Sequence, residues 1–354
     1  PFLPLFPTGR SSVLFQHFLA TFVGYLFGIT KILAVAGGRK VMTDRNVFSD
    51  GCAWINEDYM PIEQASIPIT DTGFTRSDVT YDVVAVWDGK FFRLQEHLDR
   101  FEKAWTALGM TPPVSKSRMR HILHQCVEKT GLVNAYVEMM VTRGVPPAGD
   151  RDPRNFKNRF YAFAIPYVWI AEEHEQLSGL KLIVARSAER ISSRSVDPTV
   201  KNFHWGDLTK GLFEALSKGA KTAVLLDAEG HVTEGPGFNL FAFVDGRLVT
   251  PATGVLQGIT RRTVLELAEE QGIDCEIGIL TEQQLLAADE IFLTSTAGGV
   301  MPVISVDDKQ LGDGTPGPVT MSLRELYWQA HQWPKWTENV NYPNEAAKLL
   351  ALGR

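Results

Sequence analysis

The sequence predicts a mixed α/β (α+β) protein of two domains, and three observations predict it. The chain has 354 residues, close to two domains at roughly 150 residues each. Strand-like and amphipathic helical runs both occur, without the strict strand–helix–strand repeat of a doubly wound sheet. At 44% hydrophobic and 21% charged, the composition suits packed cores and excludes disorder as the main state. We read residues 42–168 as a small α/β domain, 169–176 as a linker, 177–335 as a larger domain and 336–354 as a C-terminal tail.

The elements follow in order. Ala53–Ile55 and Tyr59-Met60 read as a hairpin across Asn56-Glu-Asp58. Val79–Trp87 is rich in β-formers and meets Phe91 through an Asp88-Gly89 turn. Leu94, Leu98, Phe101, Trp105 and Leu108 recur at helical spacing, which predicts a helix over 95–109. A second helix runs from Ser115 to Thr130 and is closed by Gly131. Tyr136–Thr142 and Phe160–Ile165 read as strands, separated by a Pro/Gly/charge loop over 144–158. In the larger domain, strands are predicted at Lys181–Arg186, Ala223–Leu226, Leu240–Val244 and Glu290–Thr294. Helices are predicted at Trp205–Gly219, Thr260–Gln271 and Val319–His331.

Residues 1–41 stand apart. They hold Arg10, Lys31, Arg39 and Lys40 and no acid, a charge of +4, so the remaining residues carry −10 of the net −6. Residues 13–30 are mostly apolar and the run resumes after Lys31, but Gln16, His17, Thr21 and Lys31 interrupt it; the first methionine is Met42. The expectation is a non-native leader, with an extra helix or a membrane or export segment as alternatives. For the body, no membrane association is expected. Its acidic balance argues against nucleic acid as a ligand. Cys52, Cys126 and Cys275 are few, odd in number and far apart, as in a reduced cytoplasmic protein. His121 and His124 lack metal-ligand spacing, and no metal is expected.

Several short motifs could carry chemistry. Leu256-Gln-Gly-Ile-Thr260 opens a periodic helix and offers free N–H groups and a hydroxyl to an anion. Thr294-Ser-Thr-Ala-Gly-Gly299 is a glycine turn with hydroxyl donors directly after a strand. Taken singly, the first is more often an ordinary helix cap and the second a plain turn. Glu234 sits beside Gly235 and Gly237, where backbone can approach a flat ligand. Lys201 lies among Val200, Phe203 and Trp205, surroundings that disfavour its charged form and make it a candidate amine nucleophile. No Walker A motif is present, and Gly235-Pro-Gly237 fails as a dinucleotide fingerprint. Together with Arg93, the lysine, the carboxylate and the two anion loops match what pyridoxal 5′-phosphate requires: an amine for its aldehyde, an acid for its ring nitrogen and donors for its phosphate.

The body resembles the fold-type IV pyridoxal-phosphate aminotransferases, most closely the (R)-selective amine transaminase branch. The resemblance is carried by Ser77–Val83, Phe92-Arg-Leu-Gln-Glu-His-Leu-Asp-Arg100, Asp197–Asp207, Glu234-Gly-Pro-Gly-Phe-Asn239, Leu256–Arg261 and Thr296–Gly299, in the family's order over about residues 46–330. It implies that the larger domain binds the cofactor, that Lys201 joins it as a Schiff base and shuttles the proton, and that Glu234 pairs with the pyridine nitrogen. It further implies that Arg93, Ile259, Thr260 and Thr296 hold the phosphate, that Leu256 packs on the ring and that Trp205 lines the pocket. Arg76, Tyr81, Val83, Tyr136, Glu138, Thr296 and Ala297 would form the substrate pocket. Glu138 lies where the branched-chain enzymes carry an arginine, so donors without an α-carboxylate are expected. The implied reaction is ping-pong transfer from an (R)-amine to a keto acid such as pyruvate, whose carboxylate would meet Arg76, Arg151 or Arg154. A D-amino-acid or branched-chain aminotransferase and an aminodeoxychorismate lyase remain alternatives. A homodimer is implied as well.

Overall fold

In a computed structural model, residues 46–342 are described; the leader read over 1–41 and the end of the tail, 343–354, lie outside the described residues. The chain starts with β1 (Cys52–Ile55) and β2 (Asp58–Pro61), joined by Asn56 and Glu57, both at positive φ (51° and 69°). β3 (Val79–Trp87) follows the short helix α1 (Thr72–Arg76), and turns into β4 (Lys90–Phe92) at Asp88 and Gly89. Those two residues have φ of 48° and 71°, the paired left-handed conformation that a two-residue hairpin demands.

Next come α2 (Leu94–Ala107) and α3 (Lys116–Thr130). On α2, Leu94, Leu98, Phe101 and Trp105 form the buried stripe that the sequence spacing predicts. Ser115 caps α3 by accepting from Arg118 N, and Gly131 ends it at φ 74°. β5 (Ala135–Thr142) and β6 (Arg159–Pro166) complete the centre of an antiparallel sheet. One face of that sheet packs on α2 and α3 through Trp54, Val84, Val137 and Phe160. Alternation along β3 and β5 leaves Tyr81, Val83, Tyr136 and Glu138 on the opposite face, where Val83 pairs with Glu138. The 144–158 segment is a loop apart from one short 3₁₀ turn at Pro153–Asn155.

Within the stretch read as a linker, α4 (Glu173–Ser178) begins, because Glu172 and Glu175 make a reciprocal capping box that was not anticipated. The second sheet contains β7 (Leu180–Val184), β8 (Thr222–Val224), β9 (Asn239–Val244), β10 (Arg247–Pro251), β11 (Cys275–Gly278), β12 (Glu290–Ser295), β13 (Gly299–Val306) and β14 (Lys309–Gln310). Its helices are α5 (Gly206–Ser217), α6 (Ile259–Glu270), α7 (Glu282–Ala287) and α8 (Pro318–Ala330). The sequence reading missed β10 and β11. The first is short, and the second is an edge strand with two exposed residues, so neither shows a buried period. β15 (Thr337–Asn339) then pairs with β4 at the edge of the first sheet. The mixed α/β class predicted from the sequence is the one observed. No helix among the described residues is long and apolar enough to cross a membrane.

Candidate active site

The residues with chemistry converge on a cavity of about 550 Å³, a size suited to a cofactor with a small substrate. Lys201, Trp205, Glu234, Leu256, Ile259, Thr260, Thr296 and Ala297 all line it, together with Tyr81, Val83 and Tyr136 from the first sheet. Residues far apart in sequence thus meet around one cavity.

Lys201 is fixed through its backbone. Its carbonyl accepts from Tyr81 N at 3.1 Å and from Thr80 Oγ1 at 2.8 Å, so β3 holds the lysine in register. Its Nζ lies 4.2 Å from the centroid of the Tyr81 ring, and Tyr81 in turn packs on Phe203. Glu234 is buried and fully engaged. Its Oε2 accepts from Leu256 N at 2.8 Å and from Asn239 Nδ2 at 3.3 Å, while Oε1 accepts from Arg190 at 3.0 Å. Burial raises the Glu234 pKa, and Arg190 opposes that rise. Arg190 is itself shared with Asp207 at 2.6 Å. Neither Arg190 nor Asp207 was assigned a site role from sequence, since nothing local marks an arginine that meets a carboxylate 44 residues away.

The anion loop is built around the same carboxylate. Asn239 Nδ2 also donates to Leu256 O at 3.0 Å, and Gly258 N donates to Leu256 O at 2.8 Å. Gly258 is required here: a Cβ would lie 2.1 Å from Asn239 Oδ1. Gly258 also caps α6 without a side-chain bond, leaving the first-turn N–H groups for a ligand. The Thr260 hydroxyl is buried, 3.4 Å from the Tyr327 hydroxyl. Across the cavity, Tyr167 donates to Thr296 O at 2.6 Å and Ile170 N to Ala297 O at 2.9 Å, which fixes the second loop. Thr294 Oγ1 is buried on the cavity wall without a partner among the described residues, a donor left for something bound there.

Three expected site residues, Arg93, Arg76 and Glu138, are not on the cavity wall. Arg93 is off the cavity wall. It starts α2 in the left-handed conformation (φ 52°), its N donates to Trp336 O, its guanidinium lies 3.9 Å from the Trp336 ring centroid, and it pairs with Glu266. The arginine on the wall is Arg100, two turns further along α2, which donates to Gln257 O of the anion loop at 3.1 Å. Both arginines lie in the Phe92–Arg100 stretch, and only the helix geometry separates them. Arg76 is also off the wall, exposed at the end of α1, which Ser77 terminates at φ 54°. Arg151 and Arg154 are exposed as well, and Arg154 pairs with Asp152. Glu138 is buried beside the wall and accepts from the Tyr136 hydroxyl at 3.1 Å. Burial pushes its carboxyl up to about 7 against the pull of Lys201.

Known proteins resemble this chain in sequence and in fold. The chain is 30% identical to the branched-chain-amino-acid aminotransferase of Pseudomonas aeruginosa over 294 residues, 81% of this chain and 94% of that one. It is also 30% identical to the D-alanine aminotransferase of Bacillus licheniformis over 267 residues, 75% of this chain and 92% of that one. Its fold matches a T.th. branched-chain amino acid aminotransferase, solved with pyridoxamine 5′-phosphate, at TM-score 0.76 and 29% identity, covering 82% of this chain and 99% of that one. The family model for class IV amino-transferases matches residues 80–306, a span that holds the lysine, the carboxylate and both loops, and the chain accordingly belongs to the class IV aminotransferase family.

Proposed function

We propose that the protein is a pyridoxal-phosphate transaminase that takes the amino group of an (R)-configured amine lacking an α-carboxylate and passes it to a keto acid such as pyruvate. One observation carries the choice of donor: among the described residues, the cavity wall offers a donor carboxylate no guanidinium beyond Arg100 at the anion loop and Arg190 behind Glu234. Arg100 is clamped by Asp82 and turned to the anion loop at Gln257, where its remaining donors serve a phosphate; Arg190 pairs with Asp207 and Glu234, and Lys221 with Glu175. On the substrate side stands Glu138, an acid near Lys201. A second acid brought into that dry space is disfavoured. The hand of the amine rests on the resemblance to the (R)-selective branch.

The residues suit the cofactor. Arg100, the N–H groups of Ile259 and Thr260, and the Thr260 and Thr296 hydroxyls would hold its phosphate. Glu234, which accepts from Arg190, Leu256 N and Asn239, would pair with the ring nitrogen and hold a proton there. Bound there, the cofactor supplies a carbonyl that exchanges with amines and a ring that accepts electrons from the donor carbon. Lys201 Nζ takes the proton from that carbon and returns it, and Tyr81 holds the amine in reach. Trp205 and Leu256 exclude water beside it. The keto acid's carboxylate meets the same opposition from Glu138, and the resemblance would have Arg76, Arg151 or Arg154, exposed and off the cavity wall here, supply its cation. The resemblance implies a homodimer, and exposed Ile69 and Phe74 support an apolar contact with a second copy.

The test is a coupled assay of each enantiomer of a simple arylalkyl amine with pyruvate. Turnover of the (S) form alone overturns the proposal, and D-alanine outperforming every amine selects a D-amino-acid aminotransferase instead. Glu138 makes the preference depend on pH. Its carboxyl is neutral below about 7 and charged above, so discrimination against carboxylate donors is present above that pH and fades as pH falls through it. The kcat/KM ratio of an (R)-amine over D-alanine should therefore rise between about pH 6 and about pH 8. Replacing Arg190 with glutamine removes the cation that opposes the rise of the Glu234 pKa. We expect kcat to fall about 10- to 100-fold. The acid limb of the kcat/KM profile should move to higher pH, because burial then raises the Glu234 pKa with less opposition.

A further inference from the structure

The cavity is bounded on one side by β3, through Tyr81 and Val83, and on another by the Leu256–Thr260 loop at the start of α6. One buried network joins these two walls. Asp82 lies between the two lining residues of β3 and has no solvent exposure; its side chain turns toward α2. Its Oδ1 accepts from Val83 N at 2.8 Å and from Arg100 Nη2 at 2.8 Å, and lies 2.7 Å from His97 Nδ1. Its Oδ2 accepts from Arg100 Nε at 2.7 Å. Arg100 Nη1 then donates to Gln257 O at 3.1 Å.

The paired bonds from one carboxylate to Nε and Nη2 fix the plane of the guanidinium, which a single contact does not. His97 sits one turn before Arg100 on α2 and takes a third direction at the same carboxylate oxygen. Burial holds the imidazole neutral, so the arrangement selects the tautomer with the proton on Nδ1. Arg100 and His97 together outweigh the burial of Asp82 and keep it ionised. Of the five N–H donors of an arginine, Asp82 and Gln257 take three here, and two remain for a ligand in the cavity.

We propose that Asp82, backed by His97, is the positioning residue that aims Arg100 at the anion loop and so sets how strongly the cavity grips the phosphate arm of its ligand. This rests on the reading of the cavity as a pyridoxal-phosphate site. Neither residue lines the cavity, so neither acts on the ligand directly.

The test separates the phosphate from the rest of the cofactor. Full-length wild type, D82N, R100Q and the double variant are stripped of cofactor. Each is titrated with pyridoxal phosphate and with pyridoxal, which has no phosphate, and binding is read from absorbance. The wild type should prefer the phosphorylated ligand. D82N should weaken that ligand about 10- to 100-fold, as loss of a residue supporting a ligand-binding group does, and leave pyridoxal within about threefold. Adding D82N to R100Q should cost nothing further, because both act through one guanidinium. A wild-type preference ratio in D82N, or losses that add in the double variant, would overturn the proposal. If the wild type binds neither ligand, the cofactor reading itself fails. Should D82N not fold, H97Q decides: a loss of about threefold or more confined to the phosphorylated ligand supports the proposal, and an unchanged ratio overturns it.

Discussion

Lys201→Ala is expected to abolish turnover of an (R)-amine with pyruvate, by about 10⁴-fold or more, because it removes the group that moves the proton. Folding should survive, since the contacts that hold this segment to β3 run through the Lys201 carbonyl and are unchanged by the substitution. The same variant should retain binding of the phosphorylated cofactor, because the anion loops and Glu234 are untouched. The measurement is a coupled assay together with an absorbance titration. A small exogenous amine should restore part of the rate if the loss is that of an amine. In the wild type, borohydride treatment followed by peptide mapping should leave the pyridoxyl label on Lys201. A label on another lysine sinks the assignment.

The second large effect is expected at Glu138. Glu138→Arg puts a cation where the buried acid now sits, between Tyr136 and the partner residue Val83 on β3. Opposite charges about 4 Å apart in such a setting are worth about 4 kcal/mol at an effective dielectric near 20. Part of this is lost to desolvation, so we expect the kcat/KM ratio of amine over amino-acid donors to fall about 100-fold. Glu138→Gln removes the charge without reversing it and should give an intermediate ratio that no longer varies with pH near 7. If both variants keep the wild-type ratio, donor choice is made elsewhere in the cavity.

Much of this site was legible in the sequence. The Asp88-Gly89 turn, the Ser115 cap and the Gly131 stop depend only on neighbouring residues, and each occurs as read. The two loops and Glu234 also left a local mark, glycines and hydroxyls after a strand or before a helix, and they line the cavity. Lys201 was visible through its apolar neighbours. The charged network around it was not. Arg190 reaches Glu234 and Asp207, and Asn239 ties Glu234 to Leu256, through bonds between segments with no common local pattern.

The clearest case is the pair Arg93 and Arg100. The sequence by itself determined the mixed α/β class, the order of the motifs, the helix that carries both arginines and the residue types the chemistry needs. Only the tertiary structure decided which arginine faces the cavity. Arg93 begins the helix in a left-handed turn and is drawn to Trp336 and Glu266, while Arg100 is clamped by Asp82 and handed to Gln257. Helical periodicity says which side chains share a face. Where that face lies depends on what packs against it, and here those partners come from β3 and from a loop more than 150 residues away.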